Sequence, residues 1–138
     1  MALTTIKYAV GVDGSVIGDG AFRVALTEAK LHKATLYLIA IVETGLFAAS
    51  IEATAVEKRY RQLLAWYVHR CNEFEVPSVP LLGSSPNIGS LLCSICAEQG
   101  IDCLVVGRRG FHGISRCVRR NERASENYGD PRNSSSSR

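Results

Sequence analysis

Gly107 and Gly110 bracket two arginines in "VVGRRGFHG", directly after a short valine-rich run. Glycine at such a place admits positive φ and lets a ligand come close to the backbone. Successive amide N–H groups in the loop form a nest for an anion. Arg108, Arg109 and Arg116 add donors suited to phosphate. The competing reading is a strand-to-helix connection that needs glycine for geometry alone, and spacing leaves the two readings level. Asp13 closes another valine-rich run in "VGVDGS". A carboxylate there accepts from ribose hydroxyls or holds a water on a metal ion. The D-G-S turn also accounts for it as a cap or Asx-turn, which is the commoner use.

Other site chemistry is thin. The chain has no G-x-x-x-x-G-K-[ST] loop, and its first turn is not G-x-G-x-x-G, so a nucleotide site here is neither a P-loop nor a dinucleotide fingerprint. Cys93-Ser94-Ile95-Cys96 is a C-x-x-C, but it falls inside a helical pattern, away from the helix start where a redox pair gains a lowered thiol pKa. His32 and His69 belong to solvated helix surfaces, and His112 in the glycine loop is the one histidine retained as a ligand contact. No serine sits in a G-x-S-x-G elbow. No catalytic residue is assigned.

The elements that must position these residues alternate. "KYAVGVD" (Lys7 to Asp13) reads as a buried parallel strand. Ser15 or Asp19 caps a helix carrying Phe22, Ala25, Leu26 and Ala29 on one face. "ATLYLIAIVE" (Ala34 to Glu43) is a second strand. A long helix from Ile51 carries Val56, Tyr60, Leu63, Leu64, Tyr67 and Cys71 on one stripe. "VPSVPLL" (Val76 to Leu82) is a third strand, its prolines placing it at a sheet edge or marking its start. Ile88, Leu91, Leu92 and Ile95 mark a third helix that ends near Gly100. "DCLVVG" is a fourth strand. The β-α-β-α-β-α-β order predicts an open, doubly wound parallel α/β sheet with right-handed crossovers. Ligands of such sheets lie beyond the carboxyl ends of the strands. "GVDGS", "AIVETG" and "GRRGFHG" all leave those ends. After Cys117 the pattern offers no apolar stripe and no strand, and "GDPRNSSSSR" has the composition of a disordered tail.

The chain has 138 residues, which suits one domain, here 1–120, followed by a basic, Ser-rich tail over 121–138. The net charge of +3 is uneven, with eight arginines against three acids from Gly107 onward, so that the first 106 residues carry −2 and the rest +5. A basic segment with only Phe111 and Tyr128 for stacking reads as solvated rather than as a nucleic-acid surface. No apolar run reaches the roughly 20 residues that span a bilayer. The N-terminus carries no secretory pattern. The odd count of five cysteines, without framework spacing, reads as reduced thiols, and the expected compartment is the cytoplasm.

Taken together, "VGVDGS", "LYLIAIVE", "GIDCLVVGRRGFHGI", the long helix and the G-x-x-P-x-x-I opening of the third helix resemble the universal stress protein family from Thr5 to about Arg116. The resemblance implies an adenine nucleotide alpha hydrolase-like sheet, ordered 3-2-1-4-5 in the family, a homodimer, and in one branch ATP or AMP, with Mg²⁺, at the strand ends. It places Asp13 near the ribose, the Ile41 backbone at adenine, and Gly11 and Val12 along the adenine pocket. Val106, Gly107, Arg109 and Gly110 would begin the phosphate loop. The family pattern G-x2-G-x9-G-[ST] departs in its second half, where Arg120-Asn121 stand, leaving Asn121 as a side-chain donor. A "CPVLVV"-like fifth strand, which in the family often pairs across the dimer, is also missing, so the usual dimer route is not expected and the order 3-2-1-4 leaves the fourth strand's edge unpaired. The implied function is adenine-nucleotide binding in stress response or signalling, without strong catalysis. The alternative is a member that has lost the nucleotide and serves as a protein-interaction module.

Overall fold

The computed structural model describes residues 5–44, 51–107 and 115–119. Strand β1 (Lys7–Gly11) forms where Tyr8, Ala9 and Val10 are all buried, which requires cover on both faces of a parallel sheet. Helix α1 (Val16–Leu31) starts at Ser15, whose hydroxyl accepts from the Gly18 N–H at 2.9 Å. Its buried face is Ala21, Phe22, Ala25, Leu26 and Ala29, and the three alanines let it lie close on the strands. Strand β2 (Thr35–Glu43) is buried from Leu36 to Val42. Helix α2 (Ile51–Glu73) sets Leu64, Tyr67 and Cys71 into the same layer as α1, and the Phe22 and Tyr67 rings meet with centroids 4.3 Å apart.

Strand β3 (Ser78–Ser85) pairs with β2, and helix α3 (Ile88–Gln99) follows from an Asn87 cap whose side chain accepts from Ser90 N–H at 3.0 Å. Gly100 ends α3 in the left-handed region at φ 68°, and Ile101 N–H returns to the Cys96 carbonyl at 2.9 Å. Strand β4 (Cys103–Gly107) enters beside β1, and β5 (Ser115–Arg119) lies beyond it. The order β3-β2-β1-β4-β5 is parallel through its first four strands, as the alternation predicts. Pro80 sits in β3, an edge strand: the carbonyls of Pro77, just before β3, and of Ser85, at its end, face β2, so odd-numbered residues do and the even-numbered Pro80 removes no ladder bond. The helices α1 and α2 cover one face around Val10, Leu36, Leu38 and Val105. The face bearing Ala9, Tyr37, Ile39 and Leu104 is packed by α3 through Leu92, Leu91 and Ile95.

Two expectations are corrected. The sequence shows no strand after β4 and predicts an unpaired β4 edge, yet β5 pairs along all of β4, from Gly107 opposite Ser115 to Cys103 opposite Arg119. The connection out of Gly107 therefore leads to a strand, not to a helix. Residues 108–114 are too few for the dozen or more that a parallel crossover needs, so β5 runs antiparallel. "SRCVR" has too few apolar residues to announce itself; backbone pairing, not side-chain pattern, makes it a strand. The second correction concerns the thiols. Cys71, Cys93 and Cys96 are free, but Cys103 is disulfide-bonded.

Candidate functional site

The carboxyl ends of β1, β2 and β4 adjoin, and six of the nine expected site residues stand there: Gly11, Val12 and Asp13 after β1, Ile41 on β2, Val106 and Gly107 on β4. Arg109 and Gly110, together with His112, fall in 108–114, and Asn121 lies beyond 119; these positions lie outside the described residues.

Asp13 shapes the turn into α1. Its Oδ1 accepts from the Ser15 N–H at 2.9 Å and from the Ser15 hydroxyl at 2.6 Å. Ser15 Oγ in turn accepts from Gly18 N–H, and Gly14 takes φ 84° at the corner. The carboxylate thus has the Asx-turn and capping role that the D-G-S spacing suggests. It also sits at the positive end of the α1 dipole, where a negative charge is favoured. Gly18 belongs to the same device: a Cβ there would stand 2.5 Å from Asp13 Oδ1.

The two strand-end glycines differ. A Cβ on Gly107 would collide with the Ile17 side chain and approach the Ile17 carbonyl oxygen at 2.9 Å. Gly107 is therefore required by the packing of α1 against β4, whatever the loop after it does. A Cβ on Gly11 would meet only Leu92 Cδ2 at 3.8 Å and the Ile39 oxygen at 4.0 Å. Packing does not demand a glycine there; its absent side chain leaves room at the strand end.

Ile41 presents backbone. Odd-numbered residues of β2 face β1, as Thr35 N–H to Ile6 O and Val12 N–H to Ile39 O, both 2.9 Å, establish. Even-numbered residues face β3, as with Leu36 N–H to Pro77 O at 2.8 Å. Strand β1 ends at Gly11, and the chain turns away after Val12. The N–H and C=O of Ile41 consequently face a step in the sheet where, among the described residues, no strand lies opposite. A donor and an acceptor side by side form a two-point hydrogen-bonding edge. The Ile41 and Val12 side chains are buried on opposite faces and serve the core.

Elsewhere the chemistry is structural. Cys93 and Cys96 lie within α3, and burial pushes the Cys96 thiol up to about 11, opposite to what an exchanging pair needs. His32 stacks on Tyr8 and approaches Glu28 at 3.3 Å, and His69 approaches Glu73 at 3.4 Å, both on exposed helix surface. Among the described residues no cluster of His, Cys, Asp or Glu could hold a metal ion, and no helix is long and apolar enough to cross a membrane. Sequence reasoning missed Ile17, whose contact with Gly107 joins residues 90 positions apart and leaves no local signal.

Comparison with known proteins accords with this architecture. A structure of a universal stress protein family member from Burkholderia pseudomallei is 24% identical, with TM-score 0.68 over 74% of this chain and 80% of that one. A universal stress protein from Archaeoglobus fulgidus in complex with dAMP is 17% identical, with TM-score 0.61 over 75% and 82%. A family protein from Arabidopsis thaliana with AMP bound is 23% identical, with TM-score 0.56 over 77% and 78%. At these identities the likeness is one of fold. A comparison with curated proteins found no match. The family model for the universal stress protein family matches residues 7–120, and with that span, strand order and site edge the chain belongs to the universal stress protein family.

Proposed function

We propose that this chain binds an adenine mononucleotide at the carboxyl edge of the sheet and acts as a regulatory, stress-responsive binding protein rather than as an enzyme. The observation that carries the reading is the step at Ile41, with its backbone donor and acceptor beside the room left at Gly11. An adenine edge offers the matching acceptor and donor, and the Asp13 turn lies at the neighbouring strand end, where a ribose would follow. Relatives of the same fold carry AMP and dAMP. AMP is favoured over ATP. Gly107 is committed to packing on Ile17, and Arg120-Asn121 stand where the family pattern places Gly and Ser/Thr, so fewer groups remain for a long phosphate chain. Any Mg²⁺ would come with those phosphates, Asp13 holding one of its waters.

Isothermal titration with AMP and with Mg·ATP tests this. Saturable binding near one site per chain, tighter for AMP, is expected. Gly11→Val fills the room, its Cβ at ordinary contact distance from Leu92 and Ile39, and should abolish binding while circular dichroism shows the protein still folded; retained binding in that variant overturns the site. The reading also expects turnover of Mg·ATP no faster than in buffer. One observation favours the second reading, an interaction module without nucleotide: the Arg120-Asn121 replacement itself. Silence from both nucleotides on folded protein would select it.

A further inference from the structure

Helix α3 meets the sheet through a stripe of residues three and four apart, Ile88, Leu91, Leu92 and Ile95. Leu92 is buried with Ile39, Ile41 and Leu104, and Leu91 and Ile95 pack against that cluster. Ile88 heads the same stripe yet stays 40% exposed. A single exposed isoleucine is ordinary on a protein surface. The place of this one gives it a use.

Two contacts fix the level of α3 over the sheet. A Cβ on Gly11 would meet Leu92 Cδ2 at 3.8 Å, and Gly11 is level with Ile39. A Cβ on Gly83 would meet Leu91 Cδ2 at 2.9 Å, and Gly83 is level with Ile41. Helix α3 starts past the carboxyl end of β3 and returns to the start of β4, so its earlier residues lie nearer the carboxyl edge. Ile88 precedes Leu92 by about one turn, or about 5.4 Å. That exceeds one strand residue, at about 3.3 Å each. Ile88 therefore stands at the level of Ile41 and just past it, where β1 has already ended.

The step at Ile41 opens at this level. A ring that takes the Ile41 N–H and C=O continues the sheet edge to edge. It lies near the plane of the sheet and turns one face to each helical layer. On the α3 side the stripe sets Ile88 over that face. Gly89 has no side chain to offer, and Ser90 lies on the opposite side of the helix. The start of α3 is also held firmly. The Asn87 side chain accepts from Ser90 N–H at 3.0 Å, and Asn87 N–H donates to Ser85 Oγ at 3.0 Å. Thr44 N–H donates to the Ser85 carbonyl at 3.0 Å, tying the end of β2 to the same turn. A wall fixed before binding loses little entropy when its ligand arrives.

We propose that Ile88 is the apolar wall of the nucleotide site on the α3 side, lying against the face of the adenine ring while the Ile41 main chain holds the ring's edge. The assignment rests on the adenine-nucleotide reading above and adds a binding residue to it. NMR of protein isotopically labelled at the isoleucine δ1 methyls tests it. The Ile88 resonance is the one missing from the Ile88→Leu variant. On titration with AMP it should move upfield, because a methyl over an aromatic face feels the ring current, and it should saturate together with the calorimetric signal. Ribose 5-phosphate, which lacks the ring, should leave it in place. Ile88→Ala should weaken AMP by about tenfold through the apolar area no longer covered. Ile88→Leu keeps that volume and should stay within about threefold of the parent. Far-UV circular dichroism of both variants should match the parent. AMP binding that Gly11→Val abolishes, but with the Ile88 methyl unmoved or with folded Ile88→Ala titrating like the parent, overturns the wall and leaves the site standing. Absence of AMP binding to the folded parent overturns both.

Discussion

Gly107 and Gly83 look alike in the sequence and behave differently in the structure. At Gly107 a methyl group meets the Ile17 backbone carbonyl as well as its side chain, and neither yields without moving the start of α1. Gly107→Ala should therefore lower stability by about 1–3 kcal/mol, read from the midpoint of a urea transition. At Gly83 the nearest atom, 2.9 Å away, is the far end of Leu91, which can turn aside. Gly83→Ala should lie within about 0.5 kcal/mol of the parent in the same assay. Ser15→Ala removes the α1 cap and should cost about 1 kcal/mol. These local devices were partly legible. The D-G-S turn, the Ser15 cap and the Gly100 ending are encoded within a few residues of themselves. The Gly107–Ile17 contact is created by the fold and has no local trace.

At the scale of elements, side-chain pattern revealed every parallel strand and every described helix, because each must bury apolar residues on a definite face. It missed β5, which is formed by main-chain pairing in a hairpin. Tyr67 joins two of the elements, packing on Phe22 and donating to Asp19 across the α1–α2 seam. Burial, with the nearby Asp19 charge second, pushes its phenol from 10.0 up to about 12. The neutral phenol is the form the fold holds. Its contribution is complete below pH 10 and is lost as pH rises from about 10 to 12. In alkaline thermal melts, Tyr67→Phe should therefore lose less stability than the parent across that window. Near neutral pH the two should differ little, since the hydrogen bond lost is a long one at 3.4 Å. Equal alkaline slopes would show that Tyr67 does not govern the transition; Cys71, also pushed up to about 11 by burial, titrates identically in both proteins.

For the whole molecule, the proposed site predicts a linkage. A ligand that binds only the folded chain stabilises it by about 2.7 kcal/mol at a hundredfold excess over its Kd. AMP at that excess should raise the melting temperature by several degrees, and Gly11→Val should melt at the same temperature with or without AMP. Of the candidate site, the strand-end residues were readable because open parallel sheets place their ligands there. The step at Ile41 was not readable as geometry, since it depends on where β1 stops relative to β2.

That step follows from unequal lengths, five residues in β1 against nine in β2. The groups it offers are main-chain atoms, common to every amino acid except proline at the amide. Substitution at Ile41 alters the core behind the step but not the hydrogen-bonding face itself. What must persist through divergence is a difference in length between two strands, not an identity at a position. Single-residue insertions or deletions in β1 or its turn, which shift where the strand stops, should damage it more than any exchange of side chain at Ile41 other than to proline.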